Sequence, residues 1–330
     1  MKIMKNKLNI AVVGLGVGNA HCDTILQNSD KFNLIGVCDF DKTKLIKFKN
    51  LKIKYVTTRF DEILNTDDVD VMVIASYDKF HEDQILSCLE KGIHLFVEKP
   101  ICINRDQLNK ITKRMAEFPN VKISSNLILR KENRFIKLKD RLQNGDLGEI
   151  YFVQCSYDYG RFYKITDGWR GQQNGYSVIL GGAIHLIDLI YWATGEKFIP
   201  DFQYFSNVSS RLNKLNFIDF KLGVGHLSGG AVATFSANYA SNTKHQHEIL
   251  ICGTKGVFTH SKGTTSYSFG GDLDNVIEED VSIFPSAKKG DILKEFLSDL
   301  LFDTETCSVQ STDVIEVMDI ALKVEDAKNE

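Results

Sequence analysis

A lysine lies two residues after an apolar run, at a place where it could exchange protons with a ligand. Residues 93–97 read Ile-His-Leu-Phe-Val, and Glu98, Lys99 and Pro100 follow. The run predicts a buried parallel strand, whose carboxyl end faces the crevice where open α/β sheets bind ligands. Partial desolvation there lowers a lysine's pKa and suits its amine to proton transfer. An ordinary strand end with a surface lysine is the alternative for the tripeptide alone.

A histidine in a second apolar segment is the other candidate for proton chemistry. Residues 181–194 are apolar almost all round, which predicts a buried helix. A buried imidazole needs a polar partner or a ligand, and His185 would be such a group. Asp188 lies three residues later on the same helix face, where it can orient His185 or serve the structure. A hydrogen-bonded core histidine is the alternative.

A glycine-rich turn lies far upstream of both groups and is typical of phosphate binding. The predicted strand 8–13 runs directly into Gly14, Gly16, Val17 and Gly18. Gly14 permits a tight turn, Gly16 lets a pyrophosphate approach the backbone, and the next helix directs its first amides at the phosphates. The third glycine comes one residue earlier than in G-x-G-x-x-G, which predicts a shortened turn. A tight turn without a nucleotide is the alternative.

Three polar residues after predicted strands are further candidates for cofactor contacts. Asp39 ends the second strand, where a carboxylate can accept both ribose hydroxyls of NAD and repels the extra phosphate of NADP. We therefore expect NAD rather than NADP, although Asp39 could instead cap the next helix. Ser76 and His81 belong to a loop that should line the same crevice. For His81, a solvent-facing place in the first helical turn is an equal alternative.

The composition limits the classes of protein to consider. The chain has 330 residues with 43% hydrophobic and 25% charged residues, and it is long enough for two domains of a soluble protein. A net charge of −3 argues against nucleic-acid binding by bulk electrostatics. No apolar run is long enough to span a bilayer. The seven scattered cysteines predict buried thiols in a reducing cytoplasm. We expect a cytoplasmic protein without nucleic-acid or membrane partners.

Alternating strands and helices must position the candidate residues of the first half. Up to residue 124 this alternation predicts a parallel sheet with crossover helices. The predicted strands are 8–13, 32–38, 69–75, 93–97 and 121–124. The predicted helices lie near 19–28, 41–48, 59–65, 81–91 and 104–117.

The second half predicts an antiparallel sheet with a polar, aromatic loop. Strand 149–159 alternates, and strands near 199–207, 216–223, 230–240, 246–252 and 256–260 follow, with closing helices at 289–301 and 312–328. The loop 160–176 supplies Trp169, Arg170 and Tyr176 as candidate substrate contacts, because aromatic faces stack on sugars and arginine binds carboxylate or phosphate. A solvated loop is the alternative. His245 and His247 share a strand face, but no third ligand is evident, so we predict no metal.

The chain resembles the Gfo/Idh/MocA oxidoreductase family along nearly its whole length. The matching segments are the glycine turn with His21, residues 75–81, Glu98-Lys99-Pro100, residues 145–150 and residues 182–188. The resemblance implies an α/β fold: an N-terminal Rossmann dinucleotide-binding domain, 1–124, and a C-terminal α/β domain, 125–330, with a large, mostly antiparallel open sheet. That second domain would bind substrate and form a homo-oligomer, a dimer or tetramer, through its sheet.

The resemblance also implies an activity, the oxidation or reduction of a secondary alcohol of a sugar, cyclitol or nucleotide sugar with NAD(P). Lys99 and His185 would be its acid/base pair, with Glu98 and Pro100 positioning Lys99 and a cis Lys99-Pro100 bond. Glu98 and Lys99 would also contact the cofactor. The basic and aromatic residues at 161–170 favour a sugar phosphate or nucleotide sugar over a free sugar or inositol. A cofactor-sensing regulator without turnover is the alternative of another class.

One position departs from the family pattern. Many relatives carry an aspartate or asparagine four residues before the histidine, and this chain has Gly181 there. Either another side chain fills that place, with Tyr176, Asp167 and Lys164 as candidates, or the substrate differs.

Overall fold

The computed structural model describes residues 6–168, 170–171, 175–270, 276–280 and 282–328, and only the backbone of 276–279. The chain forms two compact units. The first contains residues 1–128 and 288–318, and the second contains 129–287 and 319–330. The predicted division into 1–124 and 125–330 has a single boundary, whereas in the structure residues 288–318 also belong to the first unit.

A six-stranded parallel sheet forms the centre of the first unit. Its strands are β1 (Leu8–Val13), β2 (Phe32–Cys38), β3 (Tyr55–Thr57), β4 (Val71–Ile74), β5 (His94–Val97) and β6 (Ile123–Ser125). They lie in the order β3-β2-β1-β4-β5-β6. The chain order reverses beside β1, so ligands are expected in the crevice at the carboxyl ends of β1 and β4.

Helices cover this sheet because the strands are apolar on both faces and need two covering layers. The helices are α1 (Gly18–Gln27), α2 (Lys42–Leu45), α3 (Phe60–Leu64), α4 (His81–Glu90) and α5 (Arg105–Glu117). All predicted strands of this half are present with small shifts at their ends. The three-residue β3 was missed because it carries no apolar run.

An eight-stranded, mostly antiparallel sheet forms the second unit. Its strands are β7 (Ile150–Asp158), β8 (Phe198–Ser206), β9 (Phe220–Leu227), β10 (Val232–Asn238), β11 (Gln246–Gly253), β12 (Gly256–Ser261), β13 (Thr264–Phe269) and β14 (Val276–Asp280). The order is β14-β13-β12-β11-β7-β10-β9-β8, and β7 pairs with β10 in parallel. The strand predicted at 216–223 lies four residues later, as β9. The last two strands were missed; β13 is rich in threonine and serine and lacks alternating apolar residues.

A buried helix packs against this sheet. The helices of the second unit are α6 (Asn133–Gln143), α7 (Tyr163–Thr166), α8 (Ile184–Thr194) and α9 (Val208–Leu212). A π-helical turn, Ile179–Ala183, leads into α8, which ends at the left-handed Gly195. Helix α8 corresponds to the buried helix predicted at 181–194.

Two further helices close the chain, α10 (Asp291–Phe302) and α11 (Ser311–Asp326). No helix within the described ranges is long and apolar enough to cross a membrane. All seven cysteines are free thiols, and six of them are buried.

Candidate active site

The glycine turn after β1 has the geometry that a dinucleotide phosphate needs. Gly14 has a left-handed φ of 86°, and a Cβ there would overlap the carbonyl of Ala75 at the end of β4. A Cβ on Gly18 would lie 3.0 Å from Val12 Cγ1, so α1 packs closely on β1. Around Gly16, in contrast, nothing lies within 4 Å of the Cβ position. The turn therefore packs closely against the sheet at Gly14 and Gly18 and is open at Gly16, where a pyrophosphate would approach.

Asp39 supports this turn from the end of β2. Its carboxylate accepts hydrogen bonds from Leu15 N at 2.6 Å and from Lys44 Nζ at 3.2 Å. The residue that caps α2 is Asp41, whose side chain accepts from Thr43 N at 2.9 Å. The alternative that Asp39 caps this helix is therefore wrong, whereas its contact with the ribose stays a prediction.

His81 is buried and connects two loops at the carboxyl edge of the sheet. Its Nδ1 lies 2.7 Å from Pro100 O, and its Nε2 lies 3.1 Å from Ser76 O. A solvent-facing His81 is therefore wrong, because the side chain is fully buried. Ser76 donates through its hydroxyl to Gln84 Oε1 at 2.7 Å. Direct contacts of Ser76 and His81 with a cofactor stay predictions.

Lys99 lies two residues after the end of β5 and is half-buried, and the Lys99-Pro100 bond is cis, as expected. Its neighbour Glu98 contacts the buried His21 through Oε1, 2.8 Å from Nε2. The same oxygen accepts a hydrogen bond from Asn126 Nδ2 at 2.9 Å. Lys99 therefore stands beside a carboxylate that is held between α1 and the segment after β6.

The Glu98 carboxyl is an anion at neutral pH. Burial by itself would raise its pKa, but the bonds from His21 and Asn126 and the charge of Lys99 outweigh this, so the pKa lies below its ordinary 4.5. The positive charge of Lys99 therefore lies close to a carboxylate anion just after the end of β5.

His185 lies in the first turn of α8 and is half-buried. Its ring centroid is 6.4 Å from that of His247 on β11. Asp188 on the same helix is fully buried and pairs with the guanidinium of Arg130, with an Nη2–Oδ1 distance of 2.6 Å and Nε contacts of 3.0 and 3.2 Å. The carboxylate of Asp188 therefore holds the helix that carries His185 to Arg130.

Two hydroxyl groups occupy the place of a side chain at Gly181. A Cβ there would overlap Tyr176 Oη and would lie 2.7 Å from Tyr239 Oη. Arg170 Nε donates to Tyr176 Oη at 3.1 Å, and the two phenol oxygens are 3.4 Å apart. Arg170 and Tyr176, both predicted substrate residues, thus meet at Gly181.

Sequence reasoning missed Tyr239, which follows β10. The pairing of β10 with β7 brings it beside Tyr157 and Tyr159, and no local sequence pattern announces this arrangement. Of the other residues proposed to replace the missing side chain, Lys164 and Asp167 are exposed. Trp169 lies outside the described residues.

His245 and His247 belong to an aromatic wall of the second unit. We use this name for Tyr157, Tyr159, Tyr176, Tyr239, His245 and His247. The two histidine rings are 5.3 Å apart and pack edge-on against Tyr157 at 5.3 and 5.1 Å. In the part of the chain that the structure describes, no group of three or more His, Cys, Asp or Glu residues could hold a metal ion.

Comparisons with known proteins agree with this architecture. The model of an oxidoreductase family with an NAD-binding Rossmann fold matches residues 8–125, and the C-terminal domain model of the same Gfo/Idh/MocA family matches residues 135–259. An inositol 2-dehydrogenase of Rhodococcus erythropolis is 31% identical over 193 residues. The match covers 58% of this chain and 54% of that enzyme, so the chain spans just over half the length of this curated relative.

Solved structures show the same fold over almost the whole chain. A myo-inositol 2-dehydrogenase from Lactobacillus plantarum superposes with a TM-score of 0.80 at 20% identity, covering 96% of this chain and 95% of that one. A scyllo-inositol dehydrogenase from Lactobacillus casei, with bound NAD(H) and scyllo-inositol, gives 0.78 at 22% identity and covers 97% and 96% of the two chains. The two family models together match most of the sequence, in the order of the two units. The chain belongs to the Gfo/Idh/MocA oxidoreductase family.

Proposed function

We propose that this protein is an NAD-dependent oxidoreductase that acts on a secondary alcohol of a cyclic polyol. The observation that carries the proposal is Lys99, held beside Glu98 at the same sheet edge as the open glycine turn. Inositol is the first substrate to test, because the similar enzymes are named for inositol. These names support the free sugar or inositol alternative better than the sugar phosphate or nucleotide sugar expected first. The anionic substrate remains a second candidate, because Arg170 lies beside Gly181.

Two side chains are the proposed acid/base groups. Lys99 would exchange the proton of the reacting hydroxyl, or polarise the corresponding carbonyl, through its ammonium group. His185 would hydrogen-bond the same oxygen or take over as the acid/base group. NAD, when bound, supplies the hydride acceptor at its nicotinamide ring. Gly14, Gly16, Val17 and Gly18 would seat its phosphates, and Asp39 its ribose.

A cofactor-sensing regulator is the function of another class. It would bind NAD without turnover, and the glycine at 181 is the feature that favours it. The test is the absorbance of NADH after incubating protein and NAD with inositols, free sugars, sugar phosphates and nucleotide sugars. We expect NADH to form with at least one cyclic polyol. NAD binding without NADH formation across the panel would favour the regulator.

We also propose a homo-oligomer, a dimer or tetramer, that forms through the second unit's sheet. Strands β9 and β11 alternate between buried and half-exposed residues, so one face of the sheet is accessible. Leu222 lies on this face opposite Tyr204, which is 42% exposed. The cytoplasmic location stays a prediction.

A further inference from the structure

The phenols at Gly181 form a hydrogen-bonded pair that a cation polarises. Arg170 Nε donates to Tyr176 Oη, which lies 3.4 Å from Tyr239 Oη. Only one of the two hydroxyl protons can lie between these oxygens, so the other is directed elsewhere. A donor that acts on one hydroxyl strengthens the next hydrogen bond in the chain. The phenol pair is therefore arranged to donate a hydrogen bond to a ligand.

The Tyr239 phenol remains neutral at physiological pH. Burial raises the pKa of Tyr239 well above its ordinary range, the neighbouring phenols add to this, and Arg170 opposes it only in part. A second guanidinium, Arg161, lies with Cζ 5.1 Å from the ring of Tyr159, which stacks on Tyr239 at 4.6 Å. The charge around the phenol pair is therefore positive, in contrast to a site that carries a carboxylate.

This arrangement changes what the position can bind. An ionised carboxylate only accepts hydrogen bonds and repels other anions, whereas phenols can donate and a guanidinium attracts an anion. The phenol pair and a carboxylate side chain at position 181 exclude each other, because a side chain there and the hydroxyl of Tyr176 would occupy the same volume. Gly181 is thus the residue that admits the donor pair.

The pair belongs to the same aromatic wall that reaches His185. Tyr239 lies 5.9 Å from Tyr157, Tyr157 lies 5.1 Å from His247, and His247 lies 6.4 Å from His185, between ring centroids. A group that contacts the phenols is therefore held within the same unit as the candidate acid/base histidine.

We propose that Tyr176, Tyr239 and Arg170 form a subsite for an oxyanion of the substrate. The proposal rests on the proposed function and refines its substrate class: an acidic cyclic polyol, with a carboxylate or phosphate near the reacting carbon. One phenol hydroxyl, polarised through the other, donates to the anionic oxygens together with the guanidinium, and Gly181 makes room for the phenol pair. Tyr176 and Tyr239 are then specificity-determining residues of this chain.

Matched neutral and acidic ligands test this subsite. Isothermal titration calorimetry on the NAD-saturated protein would compare glucose, glucuronate and glucose 6-phosphate, the corresponding galactose set, and inositol with an inositol monophosphate. NADH formation would be measured with the same compounds. The variants are Tyr176→Phe and Tyr239→Phe, which remove one hydroxyl each, and Tyr267→Phe is the control, a buried tyrosine on β13.

We expect at least one acid to bind about tenfold more tightly than its neutral partner, because hydrogen bonds to charged groups are stronger. Both wall variants should lose most of this preference, and the control should keep it. Tighter binding of the uronates or of the phosphates tells which source supplies the oxyanion.

Equal or weaker binding of every acid, or a preference that survives in both wall variants, would overturn the subsite. Turnover of neutral inositol without acid preference would do so while leaving the proposed function intact. Acid binding without any NADH formation would instead remove the proposed function.

Discussion

Glu98 contacts the buried His21 of α1 and directly precedes Lys99, the residue expected to move the substrate proton. Its carboxylate is 13% exposed and lies between His21 and Asn126. Because the folded protein lowers its pKa, the Glu98 carboxylate stabilises the fold above pH 4.5, and this contribution is lost as the pH falls through the lowered value. The carboxylate beside Lys99 therefore makes the stability of the fold depend on pH.

The variant Glu98→Gln tests this at the residue scale. At pH 7 we expect it to lower the free energy of unfolding by roughly 1–3 kcal/mol, because a hydrogen-bonded charge is lost. The difference from wild type should shrink as the pH falls below 4.5. Urea unfolding at both pH values measures it. Glu117→Gln, in an exposed pair with Arg114, is the control and should change little at either pH. A difference that grows toward acid pH would contradict the assignment.

At the scale of elements, a buried ion pair between Arg130 and Asp188 holds helix α8, which carries His185. Arg130 and Asp188 are 1% and 0% exposed, so each charge depends on the other. Asp188 thus has a structural role, one of the two that its position three residues after His185 suggested.

Asp188→Asn should destabilise the second unit by about 3–5 kcal/mol, because it leaves the guanidinium of Arg130 buried without its counter-charge. Urea unfolding measures the loss. The double variant Arg130→Met, Asp188→Leu should recover much of it, since apolar side chains can fill the same volume. A double variant as unstable as the single one would show that the charge pair is not the cause.

Two glycines of the same turn are expected to have different roles, Gly14 in folding and Gly16 in nucleotide binding. Gly14→Ala should destabilise the protein by at least about 1–2 kcal/mol, because φ is left-handed and the new Cβ would overlap the carbonyl of Ala75. Gly16→Ala should fold like wild type but bind NAD more weakly, since its Cβ would point into open space where phosphate is expected. Urea unfolding and NAD titration distinguish the two effects. Equal NAD affinity in Gly16→Ala would place the phosphates elsewhere.

Local sequence signals predicted the elements that carry Lys99 and His185, because an apolar strand end and an all-round apolar helix are each visible within a short window. They did not predict β3 or β13, which are short or polar and form by pairing with neighbours. Tyr239 was missed for a related reason, since it lies close to Gly181 only in the folded chain, 58 residues away in sequence.

At the scale of the whole molecule, the half-exposed face of the second sheet is the surface that we expect to associate. Leu222→Glu would place a charge on it and should convert a dimer or tetramer to monomers, because burying an unpaired carboxylate is costly. Sedimentation equilibrium measures the mass of each species. Leu26→Glu, at a residue of α1 that is 38% exposed, should leave the assembly unchanged. A monomeric wild-type protein would refute this assembly.

The most direct test of the whole account is the turnover of Lys99→Ala. With the best polyol of the substrate panel, kcat should fall by about 10²–10⁴ because the proton-transfer group is gone. NAD affinity, measured by titration, should stay nearly unchanged. Lys91→Ala, at an exposed lysine that caps α4, is the control and should keep full turnover. Near-normal kcat in Lys99→Ala would contradict the central claim that this lysine moves the substrate proton.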